Sequence, residues 1–228
     1  LRDFRERWRE SQSSVTVGEA VEAYHAAKQA EGLRRRSLQT IEMRCGRFAV
    51  DFAGRPVSSI TTAEISDWIL GLRALPPGRK PTPHAGKAGK PLGLEAKRNY
   101  RMAIHGLFTF AKGRGWVKAN PVTEAAKPKP RKKQPGILRP ADAARFLHAL
   151  ETEAPELVPF WSVRFFAGIR EQEAVRMDWS MINLREHEIH LPGTITKTYQ
   201  PRTLKIEPAL AAFLKPHARP DGPLCPFS

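Results

Sequence analysis
Apolar residues recur at helical spacing through most of the first 120 positions, in four separate segments. Val17, Val21, Tyr24 and Ala27 or Lys28 line one face of the first. Thr16 precedes them with Glu19 three residues on, a capping-box pair that predicts a helix running toward Glu31 and closed at Gly32. A second helix is expected from Ser37 through Ile41, Arg44 and Phe48 to about Phe52. Thr61 and Glu64 repeat the capping signal before Ile65, Trp68, Ile69 and Leu72. Tyr100, Ala103, Ile104, Leu107, Phe108 and Ala111 then mark a long helix over 94–112, ended by Gly113 and Gly115. Residues 74–93, rich in Pro, Gly and Lys, predict an exposed loop between the last two helices.

Beyond residue 120 the pattern changes. Residues 121–136 are basic and proline-rich and read as an interdomain linker. Arg139-Pro140-Ala141-Asp142 opens a helix through Phe146, Leu147 and Leu150, and further helices are expected over 157–167 and 170–178. Ile169, Ala174, Val175 and Trp179 supply the buried face of the last of these. Alternation predicts short strands at 188–191, 194–198 and 202–206, followed by a helix over 208–214. An all-α domain is thus followed by a mixed α+β domain that reads as cut short.

A chain of 228 residues with 41% hydrophobic residues suits one large or two ordinary soluble domains. No apolar run approaches the roughly 20 residues a membrane span requires. The opening LRDFRERWRE has neither an initiator Met nor a signal peptide's apolar centre, so a processed, trimmed or partial product is expected. Cys45 and Cys225 lack metal-type spacing, which points to reduced thiols and a cytoplasmic protein without a disulfide framework. His25, His84, His105, His148, His187 and His190 form no metal-ligand pattern.

Net charge sharpens the picture. The formal charge is +15, yet from Leu138 onward eleven of the 38 Lys and Arg meet eleven of the 23 Asp and Glu. Residues 1–137 therefore hold 27 basic against 12 acidic side chains. A polyanion, DNA or RNA, is the natural partner for such a domain, because each neutralised phosphate releases counterions. An inert basic surface, or one meeting anionic lipid, is the plainer alternative.

Three residues of the second half could carry chemistry. Arg170 follows Gly168-Ile169 at a helix start, where a planar guanidinium can be aimed at a phosphate. Glu173, three residues on, shares its helical face and can orient it or simply pair with it. Lys197 sits in Thr196-Lys197-Thr198, within a hairpin, where an ammonium can donate a proton or neutralise charge. Taken singly, an ion-pair arginine and a solvated lysine explain them as well.

In order and spacing, AGIREQEAVRMDWSMINL followed by HEIHLPGTITKTYQPRTLKI resembles the first half of the catalytic domain of tyrosine recombinases, the phage integrase family. Gly168-Ile169-Arg170, Glu173, Trp179, Thr196-Lys197-Thr198 and the strand Arg202-Thr203-Leu204-Lys205-Ile206 carry the likeness. Upstream, Ile60-Thr61, Trp68, the segment 107–111, Asn120-Pro121 and Gly136-Ile137-Leu138 resemble the texture of that family's core-binding domain. The likeness spans about residues 15–215. It implies a mainly α, two-domain fold: an all-α, SAM-like core-binding domain and an incomplete α+β catalytic domain. The corresponding division is an N-terminal extension (1–14), the helical DNA-binding domain (15–120), the linker (121–136) and the N-terminal part of the catalytic domain (137–228).

The resemblance also implies roles. In the family a tyrosine attacks the scissile phosphate, giving a 3′-phosphotyrosine and a free 5′-hydroxyl. Arg170 would bind the nonbridging oxygens, Lys197 would protonate the leaving 5′-oxygen, and Glu173 would hold Arg170 in place. No metal, nucleotide or other cofactor, no small-molecule substrate and no membrane is implied. Duplex DNA is the expected partner, with several protomers assembling on it. The family's His-x-x-Arg box and nucleophilic tyrosine have no counterpart among these residues. His217-Ala218-Arg219 has the wrong spacing, and Tyr24, Tyr100 and Tyr199 match no nucleophile position. The chain alone is expected not to cleave DNA.

Candidate phosphate contacts are Arg34, Arg35 and Arg36 at a helix start, Arg44 and Arg47 along that helix, and Lys97, Arg98 and Arg101 early on the long helix. Lys129, Arg131, Lys132 and Lys133 would follow the duplex from the linker. The rival readings are a non-catalytic DNA-binding accessory factor or mobile-element remnant, and an RNA-binding helical protein. A purely structural module fits the concentrated charge poorly.

Overall fold
Helix α1 (Val17–Ala30) starts where the capping pair places it. The Thr16 hydroxyl accepts from the Glu19 amide, and the Glu19 carboxylate accepts from the Thr16 amide at 2.8 Å. The computed structural model describes residues 15–52, 54–75, 89–131 and 134–227. The expected extension 1–14, most of the 74–93 loop, and Lys132 and Lys133 lie outside the described residues. The chain divides into two compact units, Leu1–Lys133 and Gln134–Ser228.

In the first unit α1 is followed by α2 (Arg35–Asp51), α3 (Thr62–Gly71) and α4 (Leu94–Gly113). Helix α2 begins two residues earlier than its apolar spacing suggests. At α3 the Thr61–Glu64 pair forms a second capping box. Helix α4 packs against each of the other three, which is why its apolar face is the longest. Ile104, Leu107 and Phe108 from α4 meet Phe48 from α2 and Ile65 and Ile69 from α3 in a fully buried core. The Phe48 ring takes Trp68 and Phe108 edge-on at 5.0 and 6.0 Å, the favoured aromatic geometry. Gly106 permits the close approach of α1 to α4, since a Cβ there would lie 2.7 Å from the Tyr24 hydroxyl.

The expected linker is only partly one. Val122 and Ala125 are buried in the core of the helical unit. The Pro121 carbonyl accepts from the Thr62 hydroxyl, and the Ala126 amide donates to Ser66, both at 3.0 Å. Two apolar residues at i and i+3 thus anchor a segment whose prolines suggest a spacer.

The second unit opens with α5 (Pro140–Glu153) and α6 (Val158–Phe166). A three-stranded antiparallel sheet follows, in the order β1 (Ile182–Asn183), β2 (Glu188–Leu191), β3 (Arg202–Lys205). Its last helix is Pro208–Leu214, packed on α6. Ile189, Leu191, Ile206, Leu210, Met177 and Trp179 form its core. Two expectations need correction. The helix expected over 170–178 covers only Glu171–Ala174, and Val175, just beyond it, is half-buried and packed against the core. Residues 194–198 form turns within the β2–β3 hairpin rather than a strand. A strand at Ile182–Asn183 goes unsignalled because two residues are too few to alternate. Cys45 and Cys225 are free and buried, one in each unit, and burial pushes the Cys45 thiol up to about 12. No described helix is long and apolar enough to cross a membrane.

Candidate functional site
Gly168 sets the site's first element. It ends α6 in the left-handed region (φ 62°), and Ile169 then enters the core at 3% exposure. That turn leaves Arg170 as the residue before the short helix Glu171–Ala174. The Glu173 carboxylate folds back to accept from the Arg170 amide at 3.3 Å. This is the acidic half of a capping box, and it brings the carboxylate under the Arg170 side chain.

Glu173 is the centre of the arrangement. It is 2% exposed, a depth at which a carboxylate must be fully partnered. Its Oε1 accepts from the Arg170 guanidinium at 3.2 Å and from the Lys197 amide at 3.3 Å. Arg202, the first residue of β3, closes a two-pronged contact, Nη2 to Oε2 at 2.6 Å and Nη1 to Oε1 at 3.4 Å. Burial works to raise the Glu173 pKa, but the Arg202 guanidinium, the Lys197 and Arg170 amides and the Arg170 guanidinium outweigh it and hold it down to about 2. One anionic carboxylate therefore ties together Arg170, β3 and the loop that carries Lys197.

That loop, between β2 and β3, is braced from within. The Thr196 side chain is fully buried, and its hydroxyl lies 3.1 and 2.9 Å from the carbonyls of Gly193 and Gln200, bridging the two arms. At Gly193 a Cβ would stand 2.4 Å from the Tyr199 carbonyl oxygen, so only glycine allows this closure. Lys197 is exposed, and the Arg170 side chain keeps 61% of its surface. Arg170 uses one N–H of its five on the Glu173 side chain. The result is an exposed guanidinium, and an exposed lysine tied through its backbone amide, on one buried anion, a set of groups suited to an oxyanion. Among the described residues no group of His, Cys, Asp and Glu could hold a metal.

Arg170, Glu173 and Lys197, proposed separately from the sequence, are brought together here. For Arg202 the sequence signals only a strand. A basic residue opening a strand gives no hint of a buried partner 29 positions upstream.

The candidate phosphate contacts separate into classes. Arg35 and Arg36 are exposed in the first turn of α2, which holds no acidic residue. Arg34 precedes them, half-buried, and Arg44 is half-buried farther along. Cations there oppose the helix dipole, and an anion would relieve both. Lys129 and Arg131 are exposed. Arg98 pairs with Glu95 at 2.6 Å, and Lys97 donates to the Leu70 carbonyl near the end of α3. Two assignments change. Arg47 is only 5% exposed, its guanidinium 5.5 Å from the Tyr100 ring, so it serves the core rather than a phosphate. Arg101 is half-buried and donates to the Val122 and Thr123 carbonyls at 2.7 and 3.1 Å, pinning the 121–126 segment.

Comparison with known protein families and with characterised protein sequences finds no match. Solved structures do match in fold. A lambda integrase dimer bound to a COC′ core site superposes with a TM-score of 0.67 at 18% identity, over 94% of this chain and 57% of that one. A lambda integrase tetramer bound to a Holliday junction gives 0.66 at 16%, over 91% and 57%. The Tn1549 transposon integrase, in complex with a circular intermediate DNA, gives 0.64 at 15%, over 89% and 65%. The chain shares the α-rich integrase fold with its partial α+β domain, and spans less than two thirds of the length of these proteins.

Proposed function
We propose that the chain belongs to the tyrosine recombinases and acts in site-specific recombination or integration of DNA. In this reading the helical unit is the core-binding domain, and the second unit is the N-terminal part of the catalytic domain. The observation that carries it is the Glu173 hub, which sets Arg170 and the Lys197 loop on one buried carboxylate. Arg170 binds the nonbridging oxygens of the scissile phosphate, whose charge grows in the transition state. Lys197 protonates the departing 5′-oxygen. Glu173 and Arg202 position both and stay out of the chemistry. Integrases of the same fold solved on a core site, a Holliday junction and a circular intermediate support DNA as the partner and several protomers as the working assembly. The role proposed is a cytoplasmic one.

The attacking tyrosine is assigned to none of the residues described. Tyr24 and Tyr100 are each 8% exposed in the helical core, and Tyr199 stands in the lysine's own loop. The second reading is a DNA-binding accessory protein, in which the exposed cations Arg35, Arg36, Lys129 and Arg131 hold the duplex and Arg170 and Lys197 take no part in chemistry.

The test is a salt titration of duplex binding by fluorescence anisotropy, with structured RNA as competitor. Six contacts from Arg35, Arg36, Lys129, Arg131, Arg170 and Lys197 predict a slope of log K against log salt of about −5. A slope near zero, or preference for the RNA, overturns the reading.

A further inference from the structure
The Arg47 guanidinium lies inside the helical unit without a counter-ion. The residue is 5% exposed, and among the described residues it meets neither a carboxylate nor a hydrogen-bond acceptor, only the Tyr100 ring at 5.5 Å. An aromatic ring offsets part of the charge, but it does not satisfy five N–H groups as a carboxylate would. Guanidinium groups at this depth are ordinarily paired, because an uncompensated buried charge is costly. Stem and ring contact make Arg47 a core residue; its N–H groups are left to be accounted for.

Arg47 lines a pocket of about 350 Å³ between α2 and α4. Met43, Leu75 and Leu92 give it aliphatic walls, Arg44 and Asn99 join Arg47 as its polar lining, and no acidic residue takes part. Arg44, half-buried, likewise has no ion pair among the described residues. One wall is fixed by backbone bonds: the Ala74 amide donates to the Lys90 carbonyl at 2.7 Å, and the Leu92 amide to the Leu72 carbonyl at 2.9 Å. The volume stands at the small end of the range that ligand pockets span, about 300–1,000 Å³, which suits a small molecule. Two guanidinium groups without an acid select an anion, and aliphatic walls select an apolar body. The planar fork of arginine matches a carboxylate in particular. We propose that this pocket binds a small amphipathic carboxylate, a short aliphatic acid whose carboxylate pairs with Arg47 and Arg44 and whose chain lies against Met43, Leu75 and Leu92. The site belongs to the helical unit, is distinct from the Glu173 hub, and does not depend on the DNA reading.

The experiment titrates the full chain, isotope-labelled at its methionine methyls, with sodium octanoate below its micelle concentration and follows it by NMR. Met43 lines the pocket, whereas Met102, Met177 and Met181 do not. The Met43 methyl should therefore shift saturably while the other three stay in place. Octanol, which keeps the chain and lacks the charge, and acetate, which keeps the charge and lacks the chain, should each bind about tenfold or more weakly. Arg47→Gln should weaken octanoate by a similar factor, with the three remote methionine resonances unchanged as the sign of an intact fold. A Met43 methyl that does not move, shifts shared equally by Met102, or octanol binding as tightly as octanoate overturns the inference. So does undiminished binding by a folded Arg47→Gln. The octanol and acetate arms use the parent chain, so they decide the matter even where the variant does not fold. Loss of duplex binding in a separate assay overturns the DNA reading and leaves this site standing.

Discussion

Replacing Glu173 with Gln keeps the shape of the hub and removes its charge. In the folded protein the carboxylate titrates near 2, against an ordinary 4.5. A folded pKa below the unfolded one means the ionised form stabilises the fold. That stability is fully present above about pH 4.5 and is lost as the pH falls through 2. At 1.36 kcal/mol per pKa unit the difference amounts to about 3 kcal/mol at neutral pH. A Gln cannot satisfy two guanidinium groups as well, so Glu173→Gln should destabilise the second unit by about 2–3 kcal/mol at pH 7. Hydrogen exchange against urea, read on peptides from 182–206, isolates that unit from the helical one. The gap between parent and variant should narrow steadily from pH 4.5 to pH 2. A variant as stable as the parent at pH 7, or a gap that does not change with pH, refutes the hub as the element holding Arg170 and the Lys197 loop together.

Three further perturbations test other parts of the account. Arg202→Ala should raise the Glu173 pKa and weaken duplex binding at the hairpin, while Arg202→Lys, which lacks the two-pronged fork, should restore only part of each; an NMR titration of the Glu173 side chain reads the first. Gly106→Ala should destabilise the helical unit by about 1–3 kcal/mol through its clash with the Tyr24 hydroxyl, and Tyr24→Phe should recover part of that loss in a thermal melt. The double variant Arg35→Ala, Arg36→Ala should reduce the salt slope of duplex binding by about 2, as expected for two lost phosphate contacts.

Local rules carried the sequence reading furthest where the structure depends on local interactions. Thr16–Glu19 and Thr61–Glu64 each satisfy helix-end amides within four residues, so both capping boxes were visible without the fold. The face of α4 was visible for the same reason, since one helix supplies the entire repeat. What escaped depends on partners distant in sequence. The 3-residue spacing of Arg170 and Glu173 was plain, but the burial of Glu173 comes from Arg202 and the Lys197 loop, 29 and 24 positions away. Helical spacing over 170–178 overshot because the chain turns after Ala174 to bring Met177 and Trp179 into the core. Arg47 and Arg101 looked like surface cations by composition, and only tertiary packing turns one onto Tyr100 and the other onto the Val122 carbonyl.

The central claim is that Arg170 and Lys197 meet DNA as one site, and NMR of the labelled chain titrated with duplex DNA at low salt tests it most directly. The side-chain N–H of Arg170 and the Lys197 amide should shift together with the amides at the start of α2, saturating at the same DNA concentration. Saturable binding that moves the α2 resonances and leaves Arg170 and Lys197 unchanged would contradict the claim and leave a DNA-binding protein without a phosphoryl-transfer site.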